Sequence, residues 1–291
     1  MENPLLTSKT NQPASPAKIR NVRDVIERAF EKAGENGEYT NDELQAIHAH
    51  GNEFIPELHQ LAHQFARRKL TPMFDLDGAF KLLGEANVVT PTQNCATFSQ
   101  PLPKNQIVVC PSVKQIQECA AQNKAGAHKW MLVYASALSF RDQHAILGTD
   151  RNRQPNYYPG RCENWFLKFK EKQWAEAKPE AGYHLLEMTP RWNLTNWQGQ
   201  EDNFAALDED YERADERVFA QAVLAHQKAT GQRLFDNVWH WGRALDSGGS
   251  RVCVELEPDG LCVSSDQPSY GDRNDLFVCV ARKSTARCFV A

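Results

Sequence analysis

His59 and His63 stand four residues apart in a stretch with helical spacing, an arrangement that can bring two imidazoles onto one metal ion. The residues between them are Gln60, Leu61 and Ala62, so the glutamate that acts as base in an H-E-x-x-H metalloprotease is missing. His48 and His50 are two apart and face different ways on a helix. No two cysteines have the C-x-x-C spacing of a zinc or redox site, and the chain is read as needing neither metal nor cofactor. It also lacks a G-x-S-x-G elbow, a Walker loop and a G-x-G-x-x-G turn, which removes the cheapest support for common hydrolases, P-loop enzymes and dinucleotide binders. His128, His144, Cys162 and His184 remain as an enzymatic alternative within 128–190, a Cys-His or Asp-His site assembled by folding. Nothing in their spacing prefers that to structural roles, and His226, on an apolar helix side, reads as a core histidine.

Between Arg141 and Lys172 the basic residues Arg141, Arg151, Arg153, Arg161, Lys168, Lys170 and Lys172 are interleaved with Tyr157, Tyr158 and Trp165. Cations beside stacking platforms suit single-stranded nucleic acid. Asp142, Asp150, Glu163 and Glu171 dilute the patch, and the formal net charge of -4 gives no global attraction to polyanions, so nucleic acid is the weaker alternative. In Trp239-His240-Trp241 a strand would put both indoles on one face and the imidazole on the other, with the indoles as core anchors.

The last fifty or so residues carry the most information. Val252-Cys253-Val254, Leu261-Cys262-Val263 and Val278-Cys279-Val280 are strand-like triplets around a tract of small polar residues from Ser264 to Asp275. Strands that hold an irregular, chemically mixed loop are a common way to build a recognition surface. Ser264, Ser265, Asp266, Ser269, Tyr270, Asp272, Arg273 and Asn274 are the candidate ligand-binding residues.

The elements that must position them follow from periodicity. Residues 1–20 read as a disordered tail. Three helices, beginning near Asn21, Thr40 and Pro56, then make a helical N-terminal unit over 21–90, with Thr40 and Glu43 as a capping box. Residues 91–291 form the second domain. In it a helix starts at Ser112, strands are expected at 130–134, 165–169 and 183–188, and the longest helix runs from about Asn203 to Thr230, stopped by Gly231. Its face would carry Leu207, Tyr211, Ala214, Val218 and Ala222, with the acids Asp208 to Glu216 on a solvated face. Glu257-Pro258-Asp259-Gly260 is a turn signal that makes the 252 and 261 triplets a hairpin, with the 278 segment beside them in one sheet. Helices and strands mix without βα alternation, so the class is α+β. The eight cysteines are too dilute for a disulfide scaffold and read as reduced, buried thiols. There is no signal-peptide pattern and no apolar run long enough to span a bilayer, which gives a cytoplasmic address without membrane insertion.

From Trp239 through Val252, and again from Asp272 to Lys283, the sequence resembles a variable protein of a diversity-generating retroelement, over about Arg233 to Lys283. Such proteins end in a C-type-lectin-type domain of the formylglycine-generating-enzyme kind. An error-prone reverse transcriptase rewrites adenines in the 3′ end of the gene, so side chains vary on a fixed scaffold. The resemblance implies a lectin-type mixed domain with a C-terminal antiparallel sheet, a variable region at 239–283, and a protein or other macromolecule as ligand. Asparagine codons mutated at adenine give Ser, Tyr, Asp, Gly, Cys, Arg, Leu or Phe, a set that dominates the polar tract. Glu255, Glu257 and Gln267 need another codon history. The same tract also has the composition of an ordinary surface loop. Two features depart from the resemblance: no export signal is present, and Ser284 to Ala291 continue past the expected last strand. No Glu-Pro-Asn or Trp-Asn-Asp run supplies calcium ligands. The expected function is non-catalytic ligand binding on this surface.

Overall fold

A computed structural model describes residues 75–104, 106–160, 165–235, 238–270, 275–284 and 286–290. The expected tail, the three helices near Asn21, Thr40 and Pro56, and the histidines at 48, 50, 59 and 63 lie outside them. The compact unit that contains the described residues runs from Pro72 to Ala291. It therefore includes the helix α1 (Leu76–Leu83) and the short strand β1 (Val88–Val89), which precede residue 91.

Two sheets enclose one helix. The first holds β1, β2 (Gln106–Cys110), β3 (Trp130–Ala135), β4 (Gly182–Glu187), β5 (Tyr211–Arg213), β10 (Val280–Arg282) and β11 (Ala286–Val290), in the path β1-β3-β4-β10-β5 with β2 joining β4 to β11. β3 is buried along its whole length because both its faces are covered. Met131 and Val133 enter the main core, whereas Trp130, Leu132 and Tyr134 pack on the other side with α1 and α3 (Val113–Ala125), which explains its unbroken apolar sequence. Ser112 and Gln115 cap α3 reciprocally, as its sequence predicts. The last strand, β11, pairs antiparallel with β2, so 286–290 complete the sheet beyond the expected final strand.

The second sheet has the order β8-β7-β6-β9, from β6 (Trp239–Leu245), β7 (Arg251–Glu257), β8 (Gly260–Asp266) and β9 (Leu276–Phe277). β7 and β8 form the expected antiparallel hairpin, with Pro258 and Asp259 between the paired Glu257 and Gly260. Gly260 takes φ 138°, and a Cβ there would lie 2.8 Å from the Asn156 carbonyl oxygen, so the turn accepts no side chain. The sheet is mixed rather than antiparallel, because β9 runs parallel to β6. The 278 segment divides: Leu276 and Phe277 stay in this sheet, and Val280–Arg282 crosses to the first. Between the sheets lies α7 (Glu216–Thr230), whose residues from Val218 to His226 are all buried, as a helix covered on every side must be. The fold is α+β.

Four further expectations are corrected. The helix expected over 203–230 is two helices, α6 (Trp197–Ala205) and α7, separated by β5. Leu207, Tyr211, Ala214 and Val218 mimic a helical stripe, but Tyr211–Arg213 pairs with β10 and Asp215 caps α7 by accepting the Arg217 and Val218 N–H groups. Glu216, expected on a solvated face, is buried; burial, reinforced by Asp215, raises its pKa. The strand expected at 165–169 is a pair of 3-10 turns, Trp165–Leu167 and Phe169–Glu171, which let the Trp165 indole N–H reach the Val263 carbonyl. Among the cysteines, Cys95, Cys110, Cys119, Cys279 and Cys288 are buried free thiols and Cys253 is buried, but Cys262 is disulfide-bonded.

Candidate ligand-binding face

Alternation along β6 separates two chemistries. His240 points inward to the rings of Phe219 and Phe277, accepts the Cys279 N–H on Nδ1 at 3.1 Å and makes a 3.3 Å bond from Nε2 to the Ala214 carbonyl. Nδ1 is therefore the bare nitrogen and Nε2 carries the proton. Burial, helped by Arg213, lowers the His240 pKa to about 3. On the opposite face, Trp241 is fully buried with Cys253 and Leu276, and Trp239 and Trp197 lie half-buried against them. The two indoles of β6 share a face as expected, but that face is a satellite cluster near the surface and the histidine side is the main core.

The loops beside this face are fixed by side chains. Asp246 Oδ1 accepts the N–H groups of Gly248 at 2.8 Å and Ser250 at 2.9 Å, and its Oδ2 accepts the Ser265 hydroxyl at 2.6 Å. Glu171, almost wholly buried, accepts the Ser247 N–H at 2.9 Å, the Ser247 hydroxyl at 2.6 Å and the Trp174 indole N–H at 2.9 Å. Burial alone would raise the Glu171 pKa, but these donors outweigh it and hold the carboxyl below its ordinary value. Glu171→Ala leaves three donors without their acceptor and is expected to cost about 1–3 kcal/mol, read from urea unfolding.

Of the candidate residues, Ser264, Ser265 and Asp266 lie half-buried on β8, opposite Cys253, Val252 and Arg251, and Ser269 and Tyr270 are exposed just beyond it. Ser265 differs from the others because its hydroxyl is turned inward to Asp246. Asp272, Arg273 and Asn274 lie outside the described residues. The Pro268 carbonyl accepts the Trp197 N–H at 3.1 Å, so α6 abuts the tract. Sequence reasoning missed Trp197, Arg213 and Arg251, which come together here: both guanidiniums press on the Trp197 ring, Arg213 at 3.7 Å and Arg251 at 4.0 Å from its centroid. Arg251 could have been found from its place at the start of a strand alternating with Cys253. Nothing local links Trp197 to Arg213.

Among the described residues the competing sites are not assembled. His128 pairs with Glu187 at 2.7 Å, His144 packs on Tyr157 and Phe166, and Cys162 lies outside the described residues. His184 lines a cleft of about 190 Å³ with Glu212, Asp215, Arg243 and Ser284, but its Nε2 is 3.2 Å from the Glu180 carbonyl oxygen and the Ser284 hydroxyl donates to the Tyr183 carbonyl at 3.1 Å. In the basic stretch, Tyr157 is buried with its hydroxyl on Gln143 Oε1 at 3.2 Å, Trp165 is held by Val263, and Arg141 donates to the carbonyls of Leu167 and Lys168 at 2.7 and 3.1 Å. Tyr157 and Trp165 are structural, which takes two of the three stacking platforms from the nucleic-acid alternative and leaves only half-buried Tyr158. Among the described residues no group of three or more His, Cys, Asp or Glu could hold a metal ion, and no helix is long and apolar enough to cross a membrane.

Compared with known proteins, the chain matches no family model, no curated protein and no solved structure. The functional reading therefore rests on the face itself.

Proposed function

We propose that this protein is a non-catalytic binder of a protein or other macromolecule, and that its recognition surface is the outer face of the four-stranded sheet with the loops at 246–250 and 264–270. We propose further that it is a variable protein of a diversity-generating retroelement, with a lectin-type C-terminal domain and the variable region at 239–283. The observation that carries the reading is the independence of frame and display. Glu171 and Asp246 fix the loop backbone from below, whereas Ser269 and Tyr270 point to solvent and Ser264 is half-exposed at its edge; Asp266, also half-exposed, accepts the Gln267 N–H. Side chains that do not hold the backbone are free to change, which a diversified surface requires. Ser265 belongs to the frame and is the tract position expected to resist change. The lectin-type name describes a scaffold and implies neither sugar nor calcium.

The experiment is a display library randomised at Ser264, Asp266, Ser269 and Tyr270 and selected against a panel of unrelated proteins. Folded variants are expected throughout, with binders whose enriched residues differ from target to target. Wholesale unfolding, or no binder to any target, contradicts the reading. In the same format, Ser269→Ala and Tyr270→Ala should each change stability by no more than about 0.5 kcal/mol, measured by thermal melting.

A further inference from the structure

Arg213 and Arg251 converge on Trp197, with the Arg243 backbone beside Arg251, and the charges of the three arginines are met unequally. Arg213, 4% exposed, donates to Glu201 Oε1 at 2.8 Å, Gln200 Oε1 at 2.9 Å and the Trp241 carbonyl at 3.0 Å. Arg243 donates to Glu212 Oε2 at 2.9 Å. Arg251 has no such partner: Nη1 donates to the Arg243 carbonyl at 2.7 Å, Nε is buried without an acceptor, and among the described residues no carboxylate pairs with it. Asp266 stands directly opposite in register, but its Oδ1 accepts the Gln267 N–H at 3.0 Å. Two further donors at this spot, Arg213 Nε and the fully buried Trp241 Nε1, also lack an acceptor. Burial lowers the Arg213 pKa to about 10; Glu201 opposes this, and Arg243 and Arg251 add to it by smaller amounts.

We propose that Arg251 is the anchoring subsite of this face and receives one carboxylate of a polypeptide ligand, from an acidic side chain or a C-terminus. The inference rests on the outer sheet face being the recognition surface. Its geometry suits the task. Stacking on Trp197 holds the guanidinium in one plane before any ligand arrives, which removes much of the entropy cost of ordering a long side chain. Two carboxylate oxygens match the planar fork of N–H donors. The surroundings favour a single carboxylate over a polyanion, since Glu201 would repel each further phosphate of a nucleic acid. Half-buried Trp239 and exposed Tyr270 give the rest of a peptide apolar and amphipathic contact area.

The test uses the full chain and fluorescein-labelled peptides read by anisotropy at low salt: hexaglutamate with a free C-terminus, the same peptide amidated, and hexaglutamine with a free C-terminus. Wild type should bind at least one peptide that carries a carboxylate. Binding of amidated hexaglutamate assigns the subsite to side chains, and binding of hexaglutamine assigns it to the C-terminus. Arg251→Gln should weaken the binding peptide about tenfold or more, the loss of a charge-assisted hydrogen-bond pair. Arg251→Lys, which keeps the charge and alters the native contacts least, should fold and bind between wild type and Arg251→Gln. Equal binding by wild type and both variants, no binding of any peptide to wild type, or tighter binding of an oligothymidylate than of hexaglutamate overturns the inference. Should Arg251→Gln fail to fold, Arg251→Lys decides alone: binding equal to wild type refutes the planar-fork contact, and a clear loss at unchanged melting temperature supports it. The library at 264, 266, 269 and 270 keeps Arg251 and asks for no acidic target. Binders from it, alongside failure here, would remove the subsite and leave the recognition surface standing.

Discussion

Trp241→Ala is expected to lower stability by about 3–5 kcal/mol, the largest effect of any single change on the outer face of the four-stranded sheet. Its indole is fully buried with Cys253 and Leu276, under Trp197 at a ring distance of 5.8 Å and 81° between planes, so truncation leaves a cavity that backbone on three strands must collapse to fill. Trp239, half-buried at the same face, should cost less on removal. The contrast with Ser269 and Tyr270 separates scaffold from surface. Urea unfolding of the four alanine variants checks it, and the assignment fails if the Tyr270 variant is destabilised more than the Trp241 variant.

The second large effect is on pH dependence. His240 titrates near 6.5 when unfolded and at about 3 when folded, because burial disfavours its charged form. As pH falls below 6.5 the unfolded chain takes up a proton that the native state refuses. This destabilises the native state increasingly down to the folded pKa and has no effect above 6.5. The slope contributed approaches about 1.4 kcal/mol for each pH unit in that window. His240→Leu removes this titration but strands the Cys279 N–H and the Ala214 carbonyl, so the variant should be weaker at neutral pH and lose stability less steeply toward acid. Unfolding free energies measured from pH 7 to pH 4 test both parts. Identical slopes for wild type and variant would show that His240 is not the buried neutral group described.

Local signals were legible where tertiary structure agreed with them. Ser112 and Gln115 announce α3, Gly231 closes α7 at φ 73°, and the Pro258-Asp259-Gly260 turn places β7 against β8. They failed where a distant partner decided the outcome. Tyr211–Arg213 has the spacing of a helix face but is a strand because β10 offers it hydrogen bonds, and Trp165 leaves strand geometry because Val263 accepts its indole N–H. Period-two alternation told correctly that Trp239 and Trp241 face away from His240. It could not tell which side would be the deep core, since that depends on α7 lying against the histidine side. At the candidate site the polar tract was visible in composition, but the Arg213, Trp197 and Arg251 cluster joins three separate elements and left no pattern in the sequence.

The central claim is that the C-terminal face is a diversified recognition surface, and sequencing the DNA around the gene tests it most directly. The account predicts a nearby reverse-transcriptase gene and a near-repeat of the 3′ end of this gene that differs from it at adenines, with those differences falling in codons such as 264, 266, 269 and 270 and sparing Trp241, Asp246 and Ser265. A locus with neither a reverse transcriptase nor a repeat, or a repeat whose differences fall on the scaffold codons, contradicts it.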